Sequence, residues 1–452
     1  MRPSLRHDPA ATLPRPCGDA WLLSLLSRNS RTAYMRRHGS PRTRAAFRDN
    51  VPTIRYEDLL PWLELIRRGQ ADVLFAGRPV AYERTGGSTG GAKLIPYSAE
   101  GLGDFQRAVV PWLLRTLQAH RITGRMYFAL SPATRQPERI GGVPVGLPDG
   151  AYLGAAASLV AEASAVPLEV ASITDAARWR VETLRHLEAA SDLELISVWS
   201  PTFLLRLLEG VSDPESWWPR LKVLSCWASG ASQPFAAALA ARLPQAQLQP
   251  KGLLSTECVV TVPEENDRPV LTAHGFFEFE RNGRLHLADE LSRGSVYEVV
   301  VTTASGLYRY RTGDLVRCDG SGGSDLPILE FVGRGAFSCD LVGEKLAEPF
   351  VARCLEQVAG FRFLAPEPDG SGYLLAAEAA AEVDAEAIEW RLCDNPQYAH
   401  ARKLGQLKPL RVLKVDNLFD RYVQLQLDQG VRLADVKPVA LRSERSWGER
   451  LG

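Results

Sequence analysis

Nine consecutive residues, Thr85-Gly86-Gly87-Ser88-Thr89-Gly90-Gly91-Ala92-Lys93, combine four glycines, three hydroxyls and a lysine. Glycines let backbone N–H groups close around an anion, hydroxyls add donors, and a lysine adds charge. That combination suits a polyphosphate. A P-loop, G-x-x-x-x-G-K-[ST], does not fit. Counted from Gly86 it puts Ala92 where lysine is required, and counted from Gly87 it puts Ala92 where glycine is required. The serine-hydrolase elbow G-x-S-x-G is satisfied by Gly86 to Gly90 with Ser88 as nucleophile. It leaves Thr85, Thr89 and Lys93 without a purpose, and it needs a strand ending at Ser88. Three segments further on also carry chemical groups: Leu254-Ser255-Thr256-Glu257, Gly306 to Asp314, and Gly333-Arg334. Taken alone, an S-T-E triplet is usually a helix cap, and Asp314 reads as a turn acid after a strand.

These groups need a scaffold, and the hydrophobic periodicity supplies one. Residues about 16 to 70 read as helices, with Asp58 as an N-cap and Pro61 in the first turn. Ser98 is expected to open a helix through Leu102, Phe105, Val109, Trp112 and Leu113. Short apolar runs at 126–130, 195–199 and 221–226 then alternate with helices at 173–190, 202–209 and 233–243, the pattern of a layered α/β domain. Near residue 275 the texture changes. Residues 276–287 read as a hairpin around Asn282-Gly283, followed by strands 296–302 and 328–332, an antiparallel or barrel-like subdomain. Gly320 to Gly323 reads as a hairpin connection. Beyond Gly333-Arg334-Gly335 the pattern restarts as a compact α+β unit, with strands 361–364, 373–378 and 410–415 and helices 348–358, 382–393 and 418–428. The expected architecture is α/β. A large layered N-terminal domain (1–333) carries the β-barrel-like subdomain, and a small α+β C-terminal lid domain (334–452) follows.

Composition narrows the function. The chain has 452 residues, and 53 basic side chains balance 53 acidic ones. That is not the footprint of a nucleic-acid-binding protein. The run from Ala20 to Leu26 is too short to span a bilayer. Seven cysteines without any C-x-x-C read as reduced thiols in a cytoplasmic protein, and there is no H-E-x-x-H zinc motif.

From Thr85 to Lys93 the loop matches [ST]-[SG]-G-[ST]-[ST]-G-x-x-K, the phosphate-gripping loop of adenylate-forming enzymes. The other segments follow in that superfamily's order. The whole chain resembles one branch of it, the plant auxin-responsive (Gretchen Hagen) family of acyl acid amido synthetases and its bacterial relatives. The resemblance is carried by Phe47-Arg48-Asp49-Asn50-Val51-Pro52, Lys93-Leu94-Ile95-Pro96, Ser255-Thr256-Glu257-Cys258, Leu307-Tyr308-Arg309-Tyr310-Arg311 and the closing 431–438. It implies a ligase that joins a carboxylic acid to AMP, then passes the acyl group to the amine of an amino acid. ATP and Mg²⁺ are implied as cofactors, and a monomer is the family habit. It assigns Thr85, Gly86, Gly87, Ser88, Thr89, Gly90 and Lys93 to the phosphates, Thr256 to the α-phosphate and Glu257 to Mg²⁺. Asp314 and Arg334 fall to the ribose, and the backbone at Gly230 and Ala231 to the adenine. Lys437 is the lysine expected to reach in from the lid. Trp199, Pro201 and Phe203 lie where the acyl pocket or its core is expected. Leu253 stands where the family often stacks an aromatic ring on adenine. An acyl-CoA ligase working through the same adenylate is the nearest alternative.

Overall fold

The computed structural model describes residues 18–84, 93–128, 138–322, 326–335, 338–429, 431, 433 and 436–452. Among them no helix is long and apolar enough to cross a membrane. The layered α/β region is built on a four-stranded parallel sheet, in the order Arg125–Phe128, Leu193–Ser197, Val223–Cys226, Gln247–Pro250. Its two central strands are buried almost throughout, as expected where helices cover both faces of a parallel sheet. A mixed four-stranded sheet contains the antiparallel pair Ala81–Arg84 and Leu94–Tyr97. The antiparallel subdomain is a seven-stranded sheet centred on Val296–Thr302, Tyr310–Ser321 and Pro327–Arg334. Its hairpin turns at Asn282 (φ 53°) and Gly283 (φ 78°), the left-handed pair that matches strand twist. The C-terminal unit holds a three-stranded sheet, Arg362–Pro366, Tyr373–Glu378 and Arg411–Val415, with helices including Glu348–Cys354 and Leu418–Asp428.

Most expected elements form within a few residues of the expected bounds, with informative exceptions. Ser98 does cap the Ala99–Ala119 helix, its Oγ accepting from the Gly101 N–H at 2.9 Å. Asp58 does not cap its helix. The helix runs Tyr56–Arg67, and Asp58 sits in its first turn, accepting from the Arg55 N–H at 2.9 Å. A carboxylate at the third helical position reaches back to an orphan donor, so it marks a start that lies upstream of itself. Pro61 consequently lies inside the helix rather than in its first turn. Asp314 is no turn acid: it lies within the strand Tyr310–Ser321. The helix Pro396–Lys403 was not expected at all. Cys226, Cys258, Cys318, Cys339, Cys354 and Cys393 are free thiols.

One buried carboxylate ties the parallel sheet together. The Glu194 side chain is fully buried. It accepts from the N–H groups of Thr123 (2.7 Å) and Gly124 (3.0 Å) and pairs with Lys222 (2.9 Å) and Arg220 (2.7 Å). Burial opposes ionisation, but these donors prevail and hold the carboxyl at about 2 instead of 4.5. A depressed acid stabilises the fold above its unfolded value, and that stability is lost as pH falls through its folded value. Thermal unfolding of Glu194→Gln and the parent should therefore differ most above pH 4.5 and converge toward pH 2. A constant gap between the two across that range would refute the assignment.

Candidate functional site

The glycine-rich segment joins two antiparallel strands. Arg84 pairs with Leu94 across the hairpin, so residues 85–93 form its connection. Thr85, Gly86, Gly87, Ser88, Thr89 and Gly90 lie outside the described residues. The hairpin nevertheless bears on the hydrolase reading, because a nucleophile elbow joins a strand to a helix. Lys93, at the end of this connection, is described. Its Nζ donates to the Tyr310 hydroxyl at 3.3 Å and lies 5.4 Å from the centre of the Tyr56 ring. Tyr56 also holds the strand, its hydroxyl accepting from the Leu94 N–H at 2.8 Å.

Residues 255–258 form a tight turn, not a helix cap. The Ser255 N–H donates to the Cys258 carbonyl at 3.0 Å, and Leu254 bridges Val259. The Tyr97 hydroxyl donates to the Thr256 carbonyl at 2.6 Å, fastening this turn to the hairpin. Asp314 is buried and sits directly opposite Arg334 in the antiparallel register. The Arg334 Nε donates to its Oδ1 at 2.9 Å, while the Arg334 N–H donates to Glu348 at 3.2 Å.

The electrostatics show these groups sharing one space. The Asp314 charge, foremost, raises the Arg334 pKa against burial, and Glu257 and Glu348 add to it. Burial raises the Tyr310 hydroxyl, and Glu257, Glu57 and Asp314 push it further. Burial does the same to the Cys258 thiol, aided by Glu257 and Asp314. Lys93, Glu257, Asp314 and Arg334, spread over more than 240 positions of sequence, therefore converge.

Two adjoining cavities open at this convergence. The first is a cleft lined by Asp314, Arg334, Ser229, Ser232, Leu253 and Lys437, among others. Gly230 lies in the short turn 230–232 at φ 58°, where a Cβ would come within 3.3 Å of the Phe331 ring. Glycine answers both constraints. The second cavity, of about 540 Å³, is walled largely by aromatic and aliphatic side chains, among them Trp112, Tyr152 and Trp199. Trp227, Leu254, Ser255 and Lys437 line both cavities and form the passage between them. Lys437 lies with its Nζ 4.7 Å from the centre of the Trp227 ring. Of the three residues expected at an acyl pocket, Trp199 lines the cavity, whereas Pro201 and Phe203 are buried in the adjoining helix.

Sequence reasoning missed several contributors. Phe331 and Trp227 line the cleft, so rings are present although Leu253 is not one. Glu348 joins the strand end to the C-terminal unit by also accepting from the Ala440 N–H at 3.2 Å. No spacing announces these residues, since each comes from a different element. Tyr310 stood inside a recognised segment and was legible there.

Among the described residues, no cluster of three or more His, Cys, Asp or Glu side chains could hold a metal alone. A single half-buried carboxylate, Glu257, fits an ion that keeps water and substrate phosphates as its other ligands, as Mg²⁺ does.

Comparison with known proteins agrees with this geometry. Residues 11–214 match the GH3 family N-terminal domain, and residues 269–334 match the GH3 family central domain. Indole-3-acetic acid-amido synthetase GH3.15 of Arabidopsis thaliana is 24% identical over 411 residues, covering 70% of this chain and 67% of that protein. The solved structure of GH3.15 acyl acid amido synthetase superposes with a TM-score of 0.81 at 18% identity, covering 96% of this chain and 92% of that one. A second structure of that enzyme, in complex with 2,4-DB, gives 0.80 at 19% identity, with the same coverage. The chain thus carries two GH3 family domains, the N-terminal and the central, which together span more than half of its sequence.

Proposed function

We propose that this protein is an ATP-dependent acyl acid amido synthetase. The observation that carries the reading is the convergence of Lys93, Glu257, Asp314 and Arg334 beside a cleft that opens into a largely apolar cavity. In the first step an oxygen of the substrate carboxylate bonds to the α-phosphorus of ATP, and the bond to the departing pyrophosphate breaks. In the second, an amine nitrogen bonds to the acyl carbon, the bond to AMP breaks, and the amine gives up a proton. Bringing a carboxylate to a polyphosphate requires charge neutralisation.

The loop 85–90 and Lys93 supply donors and positive charge to the phosphates. Thr256 offers its hydroxyl to the α-phosphate. Asp314 accepts from the ribose hydroxyls, with Arg334 holding that carboxylate in place. The backbone at Gly230 and Ala231, with Phe331 and Trp227 nearby, borders the adenine. Glu257 is the protein ligand for Mg²⁺, which when bound offsets phosphate charge. Residues 334–452 act as a lid on the large domain, 1–333, and bring Lys437 to the passage between the cavities. A lid that moves between the half-reactions would change which groups face the adenylate and exclude water. The reading retains a cytoplasmic monomer.

The test is pyrophosphate release with ATP and Mg²⁺ over aryl, indolyl and fatty acids, with and without amino acids or CoA. Acid-dependent release, with an amide forming only when an amino acid is present, is the expected result. A thioester formed with CoA instead would move the protein to the acyl-CoA ligases. Lys437→Ala separates the steps. It should slow adenylate formation by about 10²- to 10³-fold, the cost of losing one preorganised charge. It should leave amide formation from a supplied acyl adenylate within a few-fold of the parent. Equal loss in both half-reactions would remove Lys437 from the first.

A further inference from the structure

The larger cavity contains a feature that a purely apolar acid does not require. Lys251 lines it, yet is only 3% exposed. The side chain follows the carboxyl end of the strand Gln247–Pro250, and its Nζ donates to the Ser197 Oγ at 2.7 Å. Trp112 and Trp199 flank it, each with its ring centre 5.1 Å away. Burial drags the Lys251 pKa down to about 7, against a smaller opposing effect of Cys226. A lysine is rarely sealed among aromatic rings with one hydroxyl for company, because desolvating an ammonium is costly.

The surroundings add two more unused groups. Ser197, Ser225 and Gln249 occupy one row across the parallel strands, and all three line the cavity. The Ser225 Oγ and the Trp112 Nε1 are buried without a hydrogen-bond partner among the described residues. Buried polar groups in proteins are nearly always satisfied, so orphans on residues that line a cavity point to a ligand reached by a small side-chain shift. Ser225, like Ser197 and Gln249, lies toward the carboxyl end of a parallel strand, where α/β sheets bind ligands, and Trp112 comes from the helix Ala99–Ala119.

Lys251 also stands apart from the reacting end. The passage to the cleft is lined by Trp227, Leu254, Ser255 and Lys437. Lys251 contacts Trp199, which in turn packs against Trp227 with ring centres 6.1 Å apart. Lys251 thus sits against one ring of this pair and Lys437 against the other, and Lys251 lines the larger cavity but not the cleft.

We infer that Lys251, with Ser225 and the Trp112 N–H, recognises a second oxygen anion at the far end of the acyl acid. The substrate class is then a carboxylic acid with an aryl or alkyl middle, which fits the aromatic walls, and a distal carboxylate or acidic phenol. The Lys251 ammonium and the Trp112 N–H would donate to that anion, and Ser225 would add its hydroxyl. The assignment deepens the proposed synthetase function and rests on it for calling the ligand an acyl acid.

Binding can be read without turnover, because Trp112 and Trp199 report on occupancy through their fluorescence. The probes are 3-phenylpropanoate, its para-carboxy analogue, and 3-(4-hydroxy-3-nitrophenyl)propanoate, each titrated into the full chain. The parent should prefer one of the anionic analogues over 3-phenylpropanoate, and which one it prefers identifies the distal group. Lys251→Met should weaken that analogue by about 10- to 100-fold, the range for a hydrogen bond to a charged group. It should leave 3-phenylpropanoate unchanged or tighter. Ser225→Ala, a smaller change, should show the same selective loss to a lesser degree. The methionine variant should unfold at or above the parent temperature, since it no longer buries a cation. Equal weakening of all three acids would mean that Lys251 meets the reacting carboxylate, and no weakening would mean that it is structural. Either result overturns the inference. Selective binding without pyrophosphate release from any acid would instead refute the synthetase reading and leave the anion site standing.

Discussion

Asp314→Asn should reduce acid-dependent pyrophosphate release by about 10²- to 10³-fold and weaken ATP binding with it. Asp314 is buried, and the Arg334 Nε donates to its Oδ1 at 2.9 Å. In the proposed nucleotide site its carboxylate accepts from the ribose hydroxyls. A charged acceptor in a buried place is worth roughly 1.5–3 kcal/mol for each hydrogen bond. Two such bonds, partly retained by the amide, give the stated range. Asparagine also removes the charge that contributes most to holding Arg334, leaving the weaker attraction of Glu257 and Glu348. Asp314→Glu tests position separately from charge: its longer side chain displaces Arg334 and should recover little activity. The measurement is pyrophosphate release together with ATP titration of each variant. Full activity of Asp314→Asn at unchanged ATP affinity would dismiss the ribose role.

The second large effect concerns stability. Glu278→Gln should destabilise the protein by about 3–5 kcal/mol, the cost of removing one partner from a buried ion pair. Glu278 is fully buried on the strand Phe276–Arg281. Arg309 grips it at both oxygens, at 2.8 and 3.0 Å, and Arg48 adds a third contact at 2.9 Å. Arg309 also donates to the Val51 carbonyl at 2.7 Å, so a single guanidinium joins the N-terminal helices to the seven-stranded sheet. It does so with its own backbone at φ 51°, a left-handed conformation that costs on the order of 1–3 kcal/mol in a residue other than glycine. The buried fork offsets that strain. Arg309→Lys should forfeit most of it, since an ammonium cannot make the two-pronged contact. Urea unfolding of the three proteins measures these losses. A shift below 1 kcal/mol for Glu278→Gln would show that solvent reaches this pair.

Arg309 illustrates how function and structure interleave in one motif. The segment Leu307 to Arg311 carries part of the sequence resemblance, yet its residues do different work. Tyr308 is buried and bonds Asn29 at 2.8 Å, Arg309 clamps Glu278, and Tyr310 meets Lys93. A motif read as a string cannot tell these apart, because the chain bends within it: Arg309 is left-handed at φ 51° and the strand begins only at Tyr310.

What the sequence determined alone was chemistry that is local in the chain. A run of glycines and hydroxyls ending in Lys93, an S-T-E triplet and the Arg311-Thr312-Gly313-Asp314 stretch each carry their chemical potential in adjacent residues. Strands and helices of strong periodicity were legible for the same reason, down to the Asn282-Gly283 turn. The tertiary structure decided which of these groups meet. It set Asp314 opposite Arg334 through strand register and placed Lys93 against Tyr310. It divided Trp199 from Phe203, two residues of similar character, between a cavity wall and the core. It also brought Lys251, unremarkable among the lysines of the sequence, between the rings of Trp112 and Trp199. A single chain records the order of residues along one line, whereas a site is a volume enclosed by elements from several distant segments. Only packing brings those walls together, and packing depends on every side chain at once.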